Sequence, residues 1–246
     1  MKKLHFILAA FATVLFVAGC GKKGPSLEFK SSIVTFRPQL DKSFYMKAAE
    51  DVALVVCNDK FEKYPFEKAQ EVKALVTFGI YPEKPAGAPQ PLGIENYKDV
   101  KYVLLQDFAE IGIVEPKPST YDDDEVYGHD RIGVLHDSNM FPTTLVHDGY
   151  LVVYCTFPID PNRTDRKHDV YLVLNSNPDD PYEIVLHHNA HGEVLGDNIS
   201  PVLVSFPLRD LDIDGTETVK LKLKWNSLDI QGTETLELSY KPRLDW

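Results

Sequence analysis

"ETVKLKLKW", Glu217 to Trp225, decides the fold. Val219, Leu221, Leu223 and Trp225 fall on one side of an extended chain, and Lys220, Lys222 and Lys224 on the other. Successive side chains of a strand point to opposite faces, so this spacing buries one face and wets the other. "TETLELSYK" repeats it, with Leu236, Leu238 and Tyr240 opposite Thr235, Glu237 and Ser239. One packed face and one solvated face mark antiparallel sheets stacked in a sandwich. Working back along the chain, "DGYLVVYCTFPI", "KHDVYLVLNS", "PYEIVLHHNA" and "SPVLVSFPLR" add further strands with turn residues between them. The expectation is an antiparallel, immunoglobulin-like β-sandwich of about 110 residues.

Upstream lie shorter apolar or alternating runs: "SSIVTFRP", "SFYMKA", "DVALVVC", "EVKALVTFGIY" and "KDVKYVLLQDFAEIGIV". No amphipathic helix separates them, and the proline-rich stretch 82–97 reads as a loop. Such strands predict a small OB-like barrel or meander. "EPKPSTYDDDEVYGHD" then breaks the pattern with two prolines and the acids Asp122 to Glu125, and reads as an exposed linker. The fold class is therefore all-β. The expected divisions are 1–19 a signal peptide, 20–26 a lipidated cysteine and tether, 27–115 the OB-like barrel, 116–130 the linker and 131–246 the sandwich.

The first twenty residues obey another logic. A basic start, Lys2 and Lys3, precedes an apolar run from Phe6 to Val17 that fits a signal peptide and is short for a membrane span. It ends in Val17-Ala18-Gly19-Cys20, which resembles a bacterial lipobox. Its small residues suit a peptidase cleft, and the Cys20 thiol takes the diacylglycerol. Each buried CH₂ of an acyl chain is worth ~0.8 kcal/mol, and more than one chain is needed for a stable anchor. Cleavage removes Lys2 and Lys3 and takes the formal net charge from -11 to -13. An acidic, tethered globule lacks the Lys/Arg face that nucleic acid requires. The implied partner is the lipid bilayer through Cys20, with a protein or glycan ligand unidentified and no nucleic acid.

Chemistry is sparse. No G-x-S-x-G, H-E-x-x-H, C-x-x-C or phosphate-binding glycine loop occurs. Cys57 and Cys155 sit in apolar runs and read as buried free thiols, although an oxidising envelope permits a disulfide. "DLDIDGTET" carries Asp210, Asp212, Asp214 and Gly215 like a calcium loop, but its twelfth position is Leu221 and its flanks are strands, so it reads as a hairpin turn. The pairs His129-Asp130, His136-Asp137 and His147-Asp148 read as turn and surface residues, since adjacent strand side chains diverge.

"LHHNAHGEVLG" (Leu186 to Gly196) is the one histidine-dense stretch. His187, His188 and His191 are weak metal candidates, because zinc wants three or four ligands and strand alternation separates His187 from His188. The plainer expectation is that His188 caps the core edge by a hydrogen bond while Asn189 to Gly192 turn the chain. No cofactor is expected.

Three segments resemble the C-terminal β-sandwich of the NigD-like lipoproteins of Bacteroidota. They are Asp148-Gly149-Tyr150-Leu151, His188-Asn189-Ala190-His191-Gly192, and Val204-Ser205-Phe206-Pro207-Leu208-Arg209 with Leu211. Gly149, Tyr150, His188, Asn189, Gly192, Phe206 and Arg209 are the family-marking residues. Pro207 departs from the family's usual Asp and implies an edge strand or bulge. "SFYMKAAEDVALVVCN" and "EKAQEVKALVTFGIY" are similar to the family's N-terminal OB-like barrel, and "VYGHDRI" to its interdomain segment, so the resemblance spans nearly the whole chain after the lipobox. It implies an envelope lipoprotein without assigned enzyme activity, a supposed role in bacteriocin immunity, and no catalytic residues to carry over.

Three functions compete. The first is a non-catalytic, anchored binding protein, bacteriocin-immunity related. The second is a glycan-binding accessory module using aromatics such as Tyr81, Tyr97, Tyr121 or Trp246, and the third a metal-dependent hydrolase built on the 187–193 cluster. Lys22 and Lys23 follow the lipobox where exported surface lipoproteins of the phylum carry acids, which points to the periplasmic face of the outer membrane.

Overall fold

The computed structural model describes residues 27–39, 43–58, 70–137, 141–160, 167–192, 198–211, 213, 217–243 and 246. The signal peptide, Cys20 and the tether lie outside them, as do Asp212, Asp214 and Gly215 of the calcium-like loop.

Five strands form the N-terminal barrel: β1 (Glu28–Pro38), β2 (Phe44–Ala49), β3 (Val52–Val56), β4 (Val72–Ile80) and β5 (Asp99–Ile113). β1 pairs antiparallel with β2 and β4, and the parallel pairing of β3 with β5 closes the ring. This is the expected OB-like order. Val34, Phe36, Met46, Leu54, Ala74, Val76, Phe78, Val103 and Leu105 fill the interior, and the alternate residues Ile33, Thr35, Arg37, Lys47, Lys73 and Leu75 project outward. β5 carries a bulge: Thr77 faces Asp107 while Phe78 faces Leu105, so the register shifts by one residue at Gln106. A bulge bends a strand and switches its alternation. Phe108 thus turns inward and Ile111 outward.

β5 runs on into the second module, where Gly112 and Ile113 pair in parallel with Val204 and Ser205 of β12 (Asn198–Pro207). β12 pairs antiparallel with β9 (Tyr150–Ile159), whose other side takes β7 (Gly133–Val134) and β8 (Leu145–His147). The facing sheet runs β14 (Thr233–Tyr240), β13 (Val219–Asn226), β11 (Glu183–Asn189), β10 (Asp169–Leu174) and β6 (Lys117–Pro118). Between them lies one core, with Trp225, Phe206, Leu151, Ile184, Leu186 and Leu221 fully buried. Burying each such side chain is worth roughly 1.5–3 kcal/mol.

The strands fall where alternation puts them, with two differences. The β11–β13 pair is parallel, with Glu183 opposite Lys222, because β12 crosses to the other sheet between them. Pro207 is the last residue of β12, which lies between β5 and β9 and is not an edge strand. Its missing N–H costs nothing there, because β5 pairs only with Val204 and Ser205. The acidic run, expected to be an exposed linker, lies at the surface and carries local structure. Asp122 caps a short helix α1 (Asp123–Tyr127) by accepting from the Glu125 N–H at 3.0 Å, and β6 just before it pairs with β10.

Candidate functional site

The two histidines of β11 diverge as alternation requires, and they and His191 of the following turn go to separate partners. His187, on the outer face, lies under α1. Its Nδ1–H donates to the Gly128 carbonyl at 2.9 Å, and Tyr127 packs against both it and Tyr171. Gly128, at φ +90°, crosses so close to β11 that a Cβ would stand 2.6 Å from the His188 carbonyl oxygen.

His188, on the inner face, is wholly buried. Its Nδ1–H donates to the Arg131 carbonyl at 3.1 Å, which leaves Nε2 to accept from His168 Nδ1–H at 2.9 Å. Phe157 stacks on both rings, at 4.4 Å from His168 and 4.9 Å from His188. Burial pushes the His188 pKa down. His191 sits in the turn at φ +50°, half exposed, with Nε2 2.8 Å from Asp169 Oδ2. Among the described residues no group of three or more His, Cys, Asp or Glu side chains is arranged to hold a metal. The partner that sequence reasoning missed is His168, twenty positions from His188 and brought diagonally across from it by the β10–β11 pairing, which sets Val170 opposite His188.

Between α1 and the end of β11 lies a cleft of about 50 Å³, lined by Asp124, His129, Asp130, His187, Trp225 and Asn226 among others. It has room for a few waters and opens to solvent. The aromatics considered for stacking lie in different settings, with Tyr81 half-buried just after β4. Tyr97 bonds the Tyr45 hydroxyl at 3.4 Å, Trp246 packs edge-on against Tyr150, and Tyr121 stands fully exposed beside α1. Cys57 and Cys155 are both free. Burial pushes the Cys155 thiol up to about 12.

The richest polar constellation is at the junction of the modules, around a dipeptide that alternation assigns to the surface. His147 of β8 pairs with Tyr150 of β9, so Asp148-Gly149 is a two-residue hairpin loop. Both have positive φ, +50° and +78°, the geometry of the tight turn that Asp-Gly favours. A Cβ on Gly149 would lie 2.7 Å from Trp246 and 2.9 Å from Arg243. The turn thus thrusts Asp148 against the outer face of the barrel.

There the register has aligned a cationic row: Thr35 faces Lys47 on one side and Lys73 on the other, with Arg37 two residues along β1. The Asp148 side chain is 1% exposed. It accepts from Arg37 Nη2 at 3.0 and 3.1 Å and from Lys47 Nζ at 2.6 Å, with Arg243 at 3.7 Å. Burial alone would raise its pKa; the Lys47 bond and the three cations outweigh that and hold the carboxyl well below the usual range. Glu71 takes both Arg243 nitrogens, at 2.5 and 2.7 Å. Lys73, fully buried, lies 2.7 Å from both Thr35 Oγ1 and His147 Nδ1, donates to the His147 carbonyl at 3.1 Å, and sits 4.9 Å above the Tyr150 ring. Burial brings its pKa down to about 7 against the pull of Asp148 and Glu71. Burial, then the Lys73 charge, brings His147 to about 3. A small apolar seal of Ile33, Ile111 and Val152, backed by Leu75, Leu145 and Leu203, flanks this network.

The other family-marking residues occupy varied places. Tyr150 and Phe206 are buried, Asn189 ends β11, Gly192 follows His191 in the turn, and Arg209 pairs with Glu115 at 2.6 Å within the sandwich.

An OB-like barrel locked to a β-sandwich by a shared strand and a buried ionic hairpin defines a class of two-module β protein. Residues 112–240 match the model of the NigD-like C-terminal beta sandwich domain, and the chain belongs to that family. Solved structures from Bacteroidota are similar in fold. A "Putative TOXIN related protein" from Parabacteroides distasonis is 21% identical with a TM-score of 0.64, over 87% of this chain and 94% of that one. A NigD-like immunity protein from Bacteroides caccae is 15% identical at TM-score 0.58, over 89% and 100%. A "Putative lipoprotein" from Bacteroides fragilis is 12% identical at TM-score 0.59, over 87% and 99%. No curated protein sequence matches the chain.

Proposed function

We propose that this protein is a non-catalytic interaction protein of the cell envelope. In this reading it is held by an acylated Cys20 on the periplasmic side of the outer membrane and protects its host against a bacteriocin. Membership of the NigD-like family carries the proposal. The fold shared with a NigD-like immunity protein and a proposed lipoprotein supports it, as does the Val17-to-Cys20 lipobox. So does the way His187, His188, His191 and Asp148 are spent on holding turns and modules together. The partner would be a protein that the acidic outer surface meets, with the junction presenting both modules as one body.

The test is expression in a bacteriocin-sensitive relative. Survival should rise for one toxin with the full-length protein and not with a Cys20→Ala form released from the membrane. Unchanged killing by every toxin tried would overturn the immunity role. Protease shaving of intact cells tests the orientation: protection is expected, and digestion would place the protein outside.

A further inference from the structure

We propose that the barrel end where β1 begins is a lipid-contact surface: an apolar patch on β1, β4 and β5 rests in the headgroup region of the bilayer that holds Cys20. This deepens the envelope role and rests on the anchoring of Cys20.

Register builds the patch. Phe29 of β1 lies opposite Gly79 of β4, and Gly79 lies opposite Leu104 of β5. Phe29 and Gly79 share the outward parity of Ile33, Thr35 and Lys73, and Leu104 points outward between Val103 and Leu105, which fill the interior. Leu27, Tyr81 and Tyr102 extend this face by one more row, the Tyr81 N–H donating to the Tyr102 carbonyl at 2.9 Å. Gly79 has no side chain, and its neighbours lean over it. A Cβ there would meet the Leu27 side chain at 3.0 Å and the Phe29 ring at 3.1 Å. Even so Phe29 is 50% exposed, and Leu27, Tyr81, Tyr102 and Leu104 are half-buried. Towards the sandwich the face turns polar: the Ser31 and Thr77 hydroxyls are 3.0 Å apart, and Asp107 lies opposite Thr77. That row separates the patch from the seal of Ile33, Leu75 and Ile111.

The chain before the patch determines what covers it. Leu27 is seven residues after Cys20. Seven residues reach at most ~25 Å fully extended, and about 15 Å as a flexible coil. An anchored Cys20 therefore holds Phe29 within reach of the headgroups. The sandwich lies the other way, since β1, β4 and β5 each run from the patch to the junction at Arg37, Lys73 and Gly112, six to eight residues along. That is roughly 20–26 Å of strand. By itself so small a patch would hold a bilayer weakly, but a short tether makes the contact intramolecular, at an effective concentration of about mM.

The side chains suit that depth. Tyrosines place an apolar ring in the interface and a hydroxyl in water, and lysine stems lie along apolar surface with the ammonium outside. Tyr81 and Tyr102 supply the rings. Lys84 Nζ stands 5.3 Å over the Tyr102 ring, and Lys30, paired with Glu28 at 2.9 Å, flanks Phe29. The acidic remainder of the chain is held off anionic headgroups, which turns this end towards the bilayer.

The test uses the mature chain with Cys57→Ser, linked through the Cys20 thiol to a maleimide lipid in phosphatidylcholine vesicles; buried Cys155 stays unreacted. Phe29→Trp, Tyr81→Trp and Lys30→Trp are compared in vesicles with and without brominated phosphatidylcholine, which quenches indoles in the bilayer. Position 30 is as close to the tether as 29 but on the opposite face of β1. The indoles at 29 and 81 should be quenched severalfold more than the one at 30 and shift to the blue, while Trp225 and Trp246, read in the parent, keep their emission. Adding Phe29→Asp should abolish the quenching at 81. Equal quenching at 29 and 30, or none at 29, would overturn the surface. The chemical link makes these results independent of acylation in cells, which labelled palmitate reads separately.

Discussion

Asp148→Asn is the sharpest perturbation of the junction, because it removes one charge and almost no volume. The carboxylate is 1% exposed and answers Arg37 and Lys47 directly, with Arg243 beyond. Removing one partner of a buried ion pair strands the other and costs about 3–5 kcal/mol. That is a large share of the ~5–15 kcal/mol that holds a domain folded. The two tryptophans separate the outcomes. Trp225 is buried in the sandwich core, whereas Trp246 packs on Tyr150 and under Arg243 at the hairpin. In urea titrations the variant should lose stability by about that amount, with the Trp246 signal changing at lower urea than Trp225, each read in a variant lacking the other indole's signal. A loss below ~1 kcal/mol, or unchanged coincident transitions, would mean that the apolar seal holds the modules and the ionic hairpin is incidental.

Three further outcomes follow from the same geometry. Gly149→Ala should cost about 1–2 kcal/mol for a left-handed backbone and displace Trp246, seen as a red-shifted emission. Lys73 keeps its proton longer unfolded than folded. Its contribution to stability therefore grows as pH rises from about 7 and disappears as pH falls back to that value, with a slope of at most ~1.4 kcal/mol per pH unit; Lys73→Met should flatten the pH profile of the urea midpoint above neutrality. Cys155, buried with its thiol at about 12, should resist an aromatic disulfide reagent at pH 7.5 until the protein unfolds.

How much of this was legible depends on whether the cause is local. The faces of β13 and β14 follow from their own alternation, and the divergence of His187 and His188 from theirs. Partners far along the chain leave no such trace. His168 meets His188 only because β10 and β11 pair, and Asp148 looks like a surface turn residue until β1 and β2, a hundred residues earlier, present Arg37 and Lys47 to it. The bulge at Gln106 is hidden because the paired apolar residues Leu104 and Leu105 before it let either parity read as a strand. Helix α1 is too short for a helical period, and only its Asp122 cap marks it. The parallel pairing of β11 with β13 is a property of the crossover between them.

The central claim is that this two-module body works as a membrane-anchored envelope protein, and Cys20 carries that claim. Labelled palmitate fed to cells expressing the wild-type chain and Cys20→Ala, followed by membrane fractionation, tests it most directly. The wild type should carry the label and reside in the membrane, and Cys20→Ala should be unlabelled and unanchored. Equal partitioning of the two, without label on either, would contradict the claim.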